Sequence, residues 1–177
     1  GGGSLKSLHR WIVSSATYRQ ASSTRPDGLA KDADNRWLWR MNPRRLDADQ
    51  ARDALLSISG ELNDKAGGPA EDASHPRRTV FTKKIRNSQD EFLHSFDAPP
   101  GYQSIAKRDE TTTALQSLLM MNGDWPLQRA HAMADRLLKD PKAKTSDVVK
   151  TAYQLVYTRS PSDREASAAG SFLKKQE

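Results

Sequence analysis

Apolar residues recur every three or four positions along most of this chain, and long polar stretches separate the runs. Leu5, Leu8, Trp11 and Ile12, continuing into Ser15 and Ala16, have helical spacing and predict a helix within 5–20. Asp47 with Gln50 three residues later forms a capping box ahead of a stripe at Ala51, Ala54, Leu55, Ile58 and Leu62, with Gly60 weakening its last turn. Phe92, Leu93 and Phe96 make one apolar turn before Pro99-Pro100-Gly101 stops it. Leu115, Leu118, Leu119 and Met121 mark a helix over 111–122, and Asp124 two residues before Pro126 opens another, running to about Lys139. A helical hairpin closes the chain. Ser146 or Asp147 caps a helix carrying Val148, Val149, Ala152, Tyr153, Val156 and Tyr157, and Ser162 with Glu165 caps a last one with Ala166, Ala169, Phe172 and Leu173.

The segments between these stripes read differently. Residues 21–35, with a Pro26-Asp27-Gly28 turn signal, predict a loop, and Trp37, Leu38, Trp39 and Met41 form a short aromatic stretch of the kind that packs into a core. Gly67-Gly68-Pro69 lies in the least regular part, 63–76, and Thr79-Val80-Phe81-Thr82 is the one strand-like run. The expected fold is therefore mainly α: an irregular orthogonal helical domain of about five or six helices, with long loops and at most one short β hairpin. In this division residues 1–4 (Gly1-Gly2-Gly3-Ser4) are a linker or expression remnant, 5–142 a helical core, and 143–177 a hairpin packed on the same domain.

Charge and composition narrow the chemistry. The net charge of +6 lies wholly in the first half: residues 1–88 carry 16 basic and 10 acidic side chains, residues 89–177 twelve of each. Arg77, Arg78, Lys83, Lys84 and Arg86 fall in a stretch without acids, a basic patch that is either a solvated face or an attraction for polyanions. Apolar runs fall well short of the ~18–20 residues a membrane helix needs. With no cysteine, the chain has no disulfide, thiolate nucleophile, cysteine-ligated zinc or covalently attached c-type haem of its own. His9, His75, His94 and His131 have no metal-ligand spacing, and His131, on one face with Leu127 and Ala134, reads as a core or rim histidine. No cofactor is expected in this chain.

The densest candidate chemistry is a belt of hydrogen-bonding groups: Arg86, Asn87, Asp97, Arg108, Thr111, Thr112, Thr113, Gln116 and Asn122, interleaved with Phe81, Ile85, Phe92, Leu93 and Phe96. Interleaving places arginines beside apolar anchors. Buried guanidiniums there would need carboxylates, for which Asp97 and Asp109 are candidates. The belt reads first as pinning that holds long loops onto helices. The alternative is a cleft in which Arg86, Arg108 and Asp97 take an acidic or sulfated polysaccharide, since arginine pairs bidentately with sulfate and carboxylate. A third reading, nucleic-acid binding by Trp37, Trp39, Arg40, Arg44 and Arg45, lacks any accompanying motif. No nucleophile elbow or phosphate loop is present, so a non-enzymatic role is favoured.

Four blocks resemble a known family. They are Leu5-Lys6-Ser7-Leu8-His9-Arg10 through Tyr18-Arg19-Gln20; Asn35-Arg36-Trp37-Leu38-Trp39-Arg40-Met41-Asn42 with Arg44-Arg45-Leu46-Asp47; Arg77-Arg78-Thr79-Val80-Phe81 with Arg86-Asn87; and Phe96-Asp97-Ala98-Pro99 through Arg108, Thr111–Thr113, Gln116 and Met121-Asn122-Gly123. Together with Arg159-Ser160-Pro161-Ser162 and Glu165, they are similar to the PSD-type domain of unknown function of planctomycetes. The resemblance implies an exported, periplasmic or cell-surface multidomain protein with a cytochrome-c-like domain elsewhere and sometimes carbohydrate-binding modules. Its partners would be the other domains of the parent protein. This chain carries no Cys-x-x-Cys-His, and it starts at the family's Leu-Lys-x-Leu-His-Arg segment without the helical stretch expected before it.

Overall fold

In the computed structural model, which describes residues 3–86, 88–101 and 105–176, the chain is mainly α. Eight α-helices are present among the described residues, more than the five or six the periodicity predicts. Asn87 lies outside the described residues. The chain divides into two compact units, Gly1–Arg45 and Leu46–Glu177.

The first unit holds α1 (Leu5–Ser14) and α2 (Pro26–Lys31). Ser4 caps α1 by accepting from the Ser7 N–H, and no residue of α1 is buried. The region of α2 reads as a loop because six residues are too few to show a period. Pro26 at its first position presets the helical φ, and Gly28 lets the Trp39 ring lie directly on the helix. A Cβ at Gly28 would stand 2.5 Å from the Trp39 ring. The Trp39 indole N–H donates to the Asp32 carbonyl at 2.8 Å. The expectation that both tryptophans pack inward holds in part: Trp39 is half-buried, while Trp37 is 78% exposed.

The second unit is organised around α3 (Ala48–Ser59), which packs against α6 (Asp124–Leu137), α4 (Glu91–Ser95) and a single 3₁₀ turn (Thr79–Phe81). The Asp47–Gln50 capping box forms as predicted, and Gly60 ends α3 in the left-handed region at φ 82°. The inward face is turned from the predicted stripe: Ala48, Arg52, Leu56 and Ser59 are the buried residues. Their spacing of three and four still belongs to one helix face, but that face carries an arginine. α4 begins at Asp90, whose carboxylate accepts from the Leu93 N–H. It delivers Phe92 and Leu93 to a small core with Ala48, edged by Leu55, Phe96, Leu119 and Trp125.

Thr79–Thr82 does not form a strand. Thr79 turns back to α3, and the Thr82 hydroxyl donates to the Thr79 carbonyl at 2.8 Å, closing a tight turn that extended backbone cannot make. Isolated bridges (Asn63 with Arg77, Glu71 with Thr82, Ile85 with Ser88) are the remnant of sheet among the described residues. α5 (Ala114–Asn122) leads through Gly123 into α6, and α7 (Thr145–Tyr157) pairs with α8 (Asp163–Gln176) as the expected hairpin. Neither Ser146 nor Asp147 caps α7. The helix starts one residue earlier, at Thr145, after Lys144, which makes no side-chain cap.

Candidate functional site

Two buried arginines organise the polar centre of the second unit. Arg52, on the inward face of α3, is 1% exposed. Its Nη1 donates to the Arg77 carbonyl (2.8 Å) and the Thr79 hydroxyl (3.3 Å), and its Nη2 to the carbonyls of Ala73 (2.6 Å) and His75 (3.0 Å). Burial pushes its pKa down, opposed mainly by Asp90 and Asp53. One helical position on, Asp53 accepts from both the N–H and the hydroxyl of Thr79 at 2.7 Å. A single turn of α3 therefore grips 73–79 with a cation and an anion.

Arg77 is 3% exposed and extends the same device outward. It donates to the carbonyls of Lys65 (3.0 Å), Gly67 (2.5 Å) and Pro69 (3.2 Å) and pairs with Glu71 at 3.0 Å. Gly67 and Gly68 take φ of 73° and 89°, where glycine is needed, and the Gly67 carbonyl meets the guanidinium. The Phe81 ring lies 4.8 Å beneath the charge. Arg77 therefore does not belong to an exposed basic patch. Unlike Arg77, Arg78, Lys83, Lys84 and Arg86 are exposed, with Arg78 3.5 Å from Asp53.

Asp97, Thr111, Thr113 and Gln116, four of the belt residues, form a second knot. Asp97, in the left-handed region at φ 65°, accepts from the Thr111 N–H (2.8 Å) and hydroxyl (2.9 Å). Thr113 and Gln116 form a capping box for α5, and Gln116, 4% exposed, also donates to the Ser95 carbonyl at 2.9 Å. The knot ties the start of α5 to the end of α4. Thr112 is exposed beside it. Arg108 reaches neither Asp97 nor Asp109. Its Nη1 lies 2.5 Å from Asp49 and 3.2 Å from Asp47, where two carboxylates at the N-terminus of α3 raise its pKa, chiefly through the Asp49 hydrogen bond. Asn122 is exposed and edges a groove of about 350 Å³ with Asp90, Glu91 and Asp124.

Asp97 and Arg108 thus engage different partners, Thr111 and the Asp47 and Asp49 carboxylates, and Arg86 is exposed. The open space near the belt is a cavity of about 220 Å³ lined by Lys83, Lys84, His94, Ser88, Asp72 and Asp90, among others. Of the described belt and patch residues, Lys83 and Lys84 border it. His131 is exposed on α6, and no group of three metal-ligating side chains occurs among the described residues.

Arg52, Asp53 and Glu71 were not singled out by sequence reasoning. The signal for Arg52 was present: it sits four residues after Ala48 and four before Leu56, in register with both. The model of one protein family matches residues 1–173. The chain belongs to the PSD1 family. PSD1 is described as a protein of unknown function (DUF1553), and the match spans both compact units. No curated protein and no solved structure matches the chain.

Proposed function

We propose that this PSD1 chain is a non-catalytic interaction domain of an exported planctomycete multidomain protein, docking against other domains of its parent. The supporting observation is a contrast between its polar and apolar groups. The terminal nitrogens of Arg52 and Arg77 donate to six backbone carbonyls of their own chain. These two arginines thus spend their hydrogen bonds on holding loops. Apolar side chains on the helices are treated oppositely. Leu115, Leu118, Met121, Leu138, Tyr157 and Phe172 are each more than half exposed, and an apolar groove of about 490 Å³ runs between α6, α7 and α8. An open apolar groove is the kind of surface that takes a partner. The exported setting and the cytochrome-associated parent come from the family resemblance.

Hydrogen exchange on the intact parent protein and on the isolated chain tests the reading. Slower exchange in α6–α8 within the parent is expected. Identical exchange at every amide would remove it. The acidic-polysaccharide alternative rests on Lys83 and Lys84 beside the 220 Å³ cavity. It predicts retention on a sulfated resin that Lys83→Ala with Lys84→Ala abolishes.

A further inference from the structure

The charge of this protein is distributed by unit. Residues 1–45 contain nine lysines and arginines against three aspartates, which accounts for the whole net charge of +6; residues 46–177 hold nineteen of each sign. That charge sits beside an uncovered apolar face. Leu5, Leu8, Trp11 and Ile12 fall within about 120° of arc on α1, at 100° per residue. They are 69%, 46%, 64% and 48% exposed, and no residue of the helix is buried. Lys6 and Arg10 lie on the opposite side of the same helix.

A second apolar element in the unit is held outward by design of its turn. Buried Asp32 accepts from the N–H groups of Arg36 (3.0 Å) and Trp37 (2.8 Å). Buried Asn35 binds both the N–H and the carbonyl of Arg40, and Asn42. Between these anchors Asn35 and Leu38 both adopt φ of 55°. Left-handed backbone is unfavourable for leucine, and a turn that imposes it persists because its surroundings over-determine it. The outcome presents Trp37 (78% exposed) and Leu38 (52%) to solvent, the reverse of what folding alone favours.

We propose that residues 1–45 bind peripherally to an anionic lipid surface, with α1 lying in the interface and Trp37-Leu38 as a second inserted element. A soluble polyanion would use the charge and leave the aliphatic stripe idle. An uncharged protein groove would use the stripe and leave the net charge of the unit idle. The boundary of an anionic bilayer takes both: basic residues meet headgroup phosphates, while Leu, Ile and Trp enter the acyl edge. It also requires no matching shape. No described helix is long and apolar enough to span a membrane.

Co-sedimentation of the whole chain with phosphatidylcholine vesicles, with and without phosphatidylglycerol, tests this directly. Binding to the anionic vesicles alone is expected. Lys6→Glu with Arg10→Glu should weaken it about thirty-fold or more, from about 1 kcal/mol per basic residue near such a surface. Leu8→Ser with Ile12→Ser, and separately Trp37→Ala, should also release the chain. These side chains are exposed, so unchanged circular dichroism is expected for all three variants. Absence of sedimentation with either vesicle overturns the proposal, as does binding indifferent to Leu8→Ser with Ile12→Ser. Retention on heparin or an oligonucleotide without vesicle binding assigns the charge to a soluble polyanion. Loss of the effect through self-association, seen as a dimer abolished by the same α1 variant, assigns the face to a second copy. Either result also overturns it.

Discussion

Arginine in this protein acts through geometry as much as through charge. Arg52 satisfies three carbonyls and a hydroxyl from the interior of a helix face, a task that needs a planar fork rather than a point charge. Arg52→Met should therefore cost about 3 kcal/mol, because three buried carbonyls lose their donor. Arg52→Lys should recover less than half of that; urea denaturation of the three proteins measures both. At the other end of the chain, Arg159 grips Glu165 with two bonds of 2.8 and 2.7 Å, and Ser162 donates to the same carboxylate. These contacts lower the Glu165 pKa to about 2, with the Arg159 hydrogen bond the main cause. A depressed carboxylate pKa stabilises the folded form above the ordinary glutamate value of 4.5, and the contribution disappears as pH falls toward 2. The start of α8 should accordingly loosen between those values. A carboxyl NMR titration of Glu165 should show a midpoint near 2, moving up toward the ordinary value in Arg159→Gln.

Among the elements, helix starts carry much of the specification. Thr113 and Gln116 cap α5, and Gln116 also reaches the Ser95 carbonyl, so one cap joins two helices. Thr113→Ala should cost about 1 kcal/mol, or roughly 2–4 °C in melting temperature for a chain of this size, and Thr113→Ser should restore most of it. The elements that sequence patterning read correctly are those with a full stripe and a local cap: α3 with Asp47 and Gln50, and α8 with Ser162 and Glu165. The misread ones are short and depend on distant partners. α2 exists beneath Trp39, eleven residues beyond Gly28, and the 3₁₀ turn at Thr79 exists because Asp53, twenty-six residues earlier, binds it. Local periodicity contains neither partner.

Across the molecule, the two units are stabilised in different ways. The buried apolar side chains Ala48, Leu56, Phe92, Leu93 and Val149 all belong to residues 46–177, whereas in residues 1–45 Asp32 and Asn35 are the buried side chains among those described. With so small an apolar core, each member carries a large share of a total that is typically about 5–15 kcal/mol. Leu56, fully buried on α3, illustrates this: Leu56→Ala should cost about 3 kcal/mol, read as a lowered urea midpoint of the second unit's circular dichroism.

The sequence by itself determined the mainly α architecture, the caps of α3 and α8, and the family. Those properties are written in spacings of three and four residues and in residue types whose backbone hydrogen bonds are local. Which arginines are buried was a tertiary decision. Arg86 and Arg108 read as the interior pair, yet Arg52 and Arg77 fill that place, because the carbonyls they satisfy belong to a loop folded over α3 from as many as 25 residues away. A guanidinium goes where unpaired carbonyls collect, and that point is set by the path of the loop rather than by the residues beside the arginine.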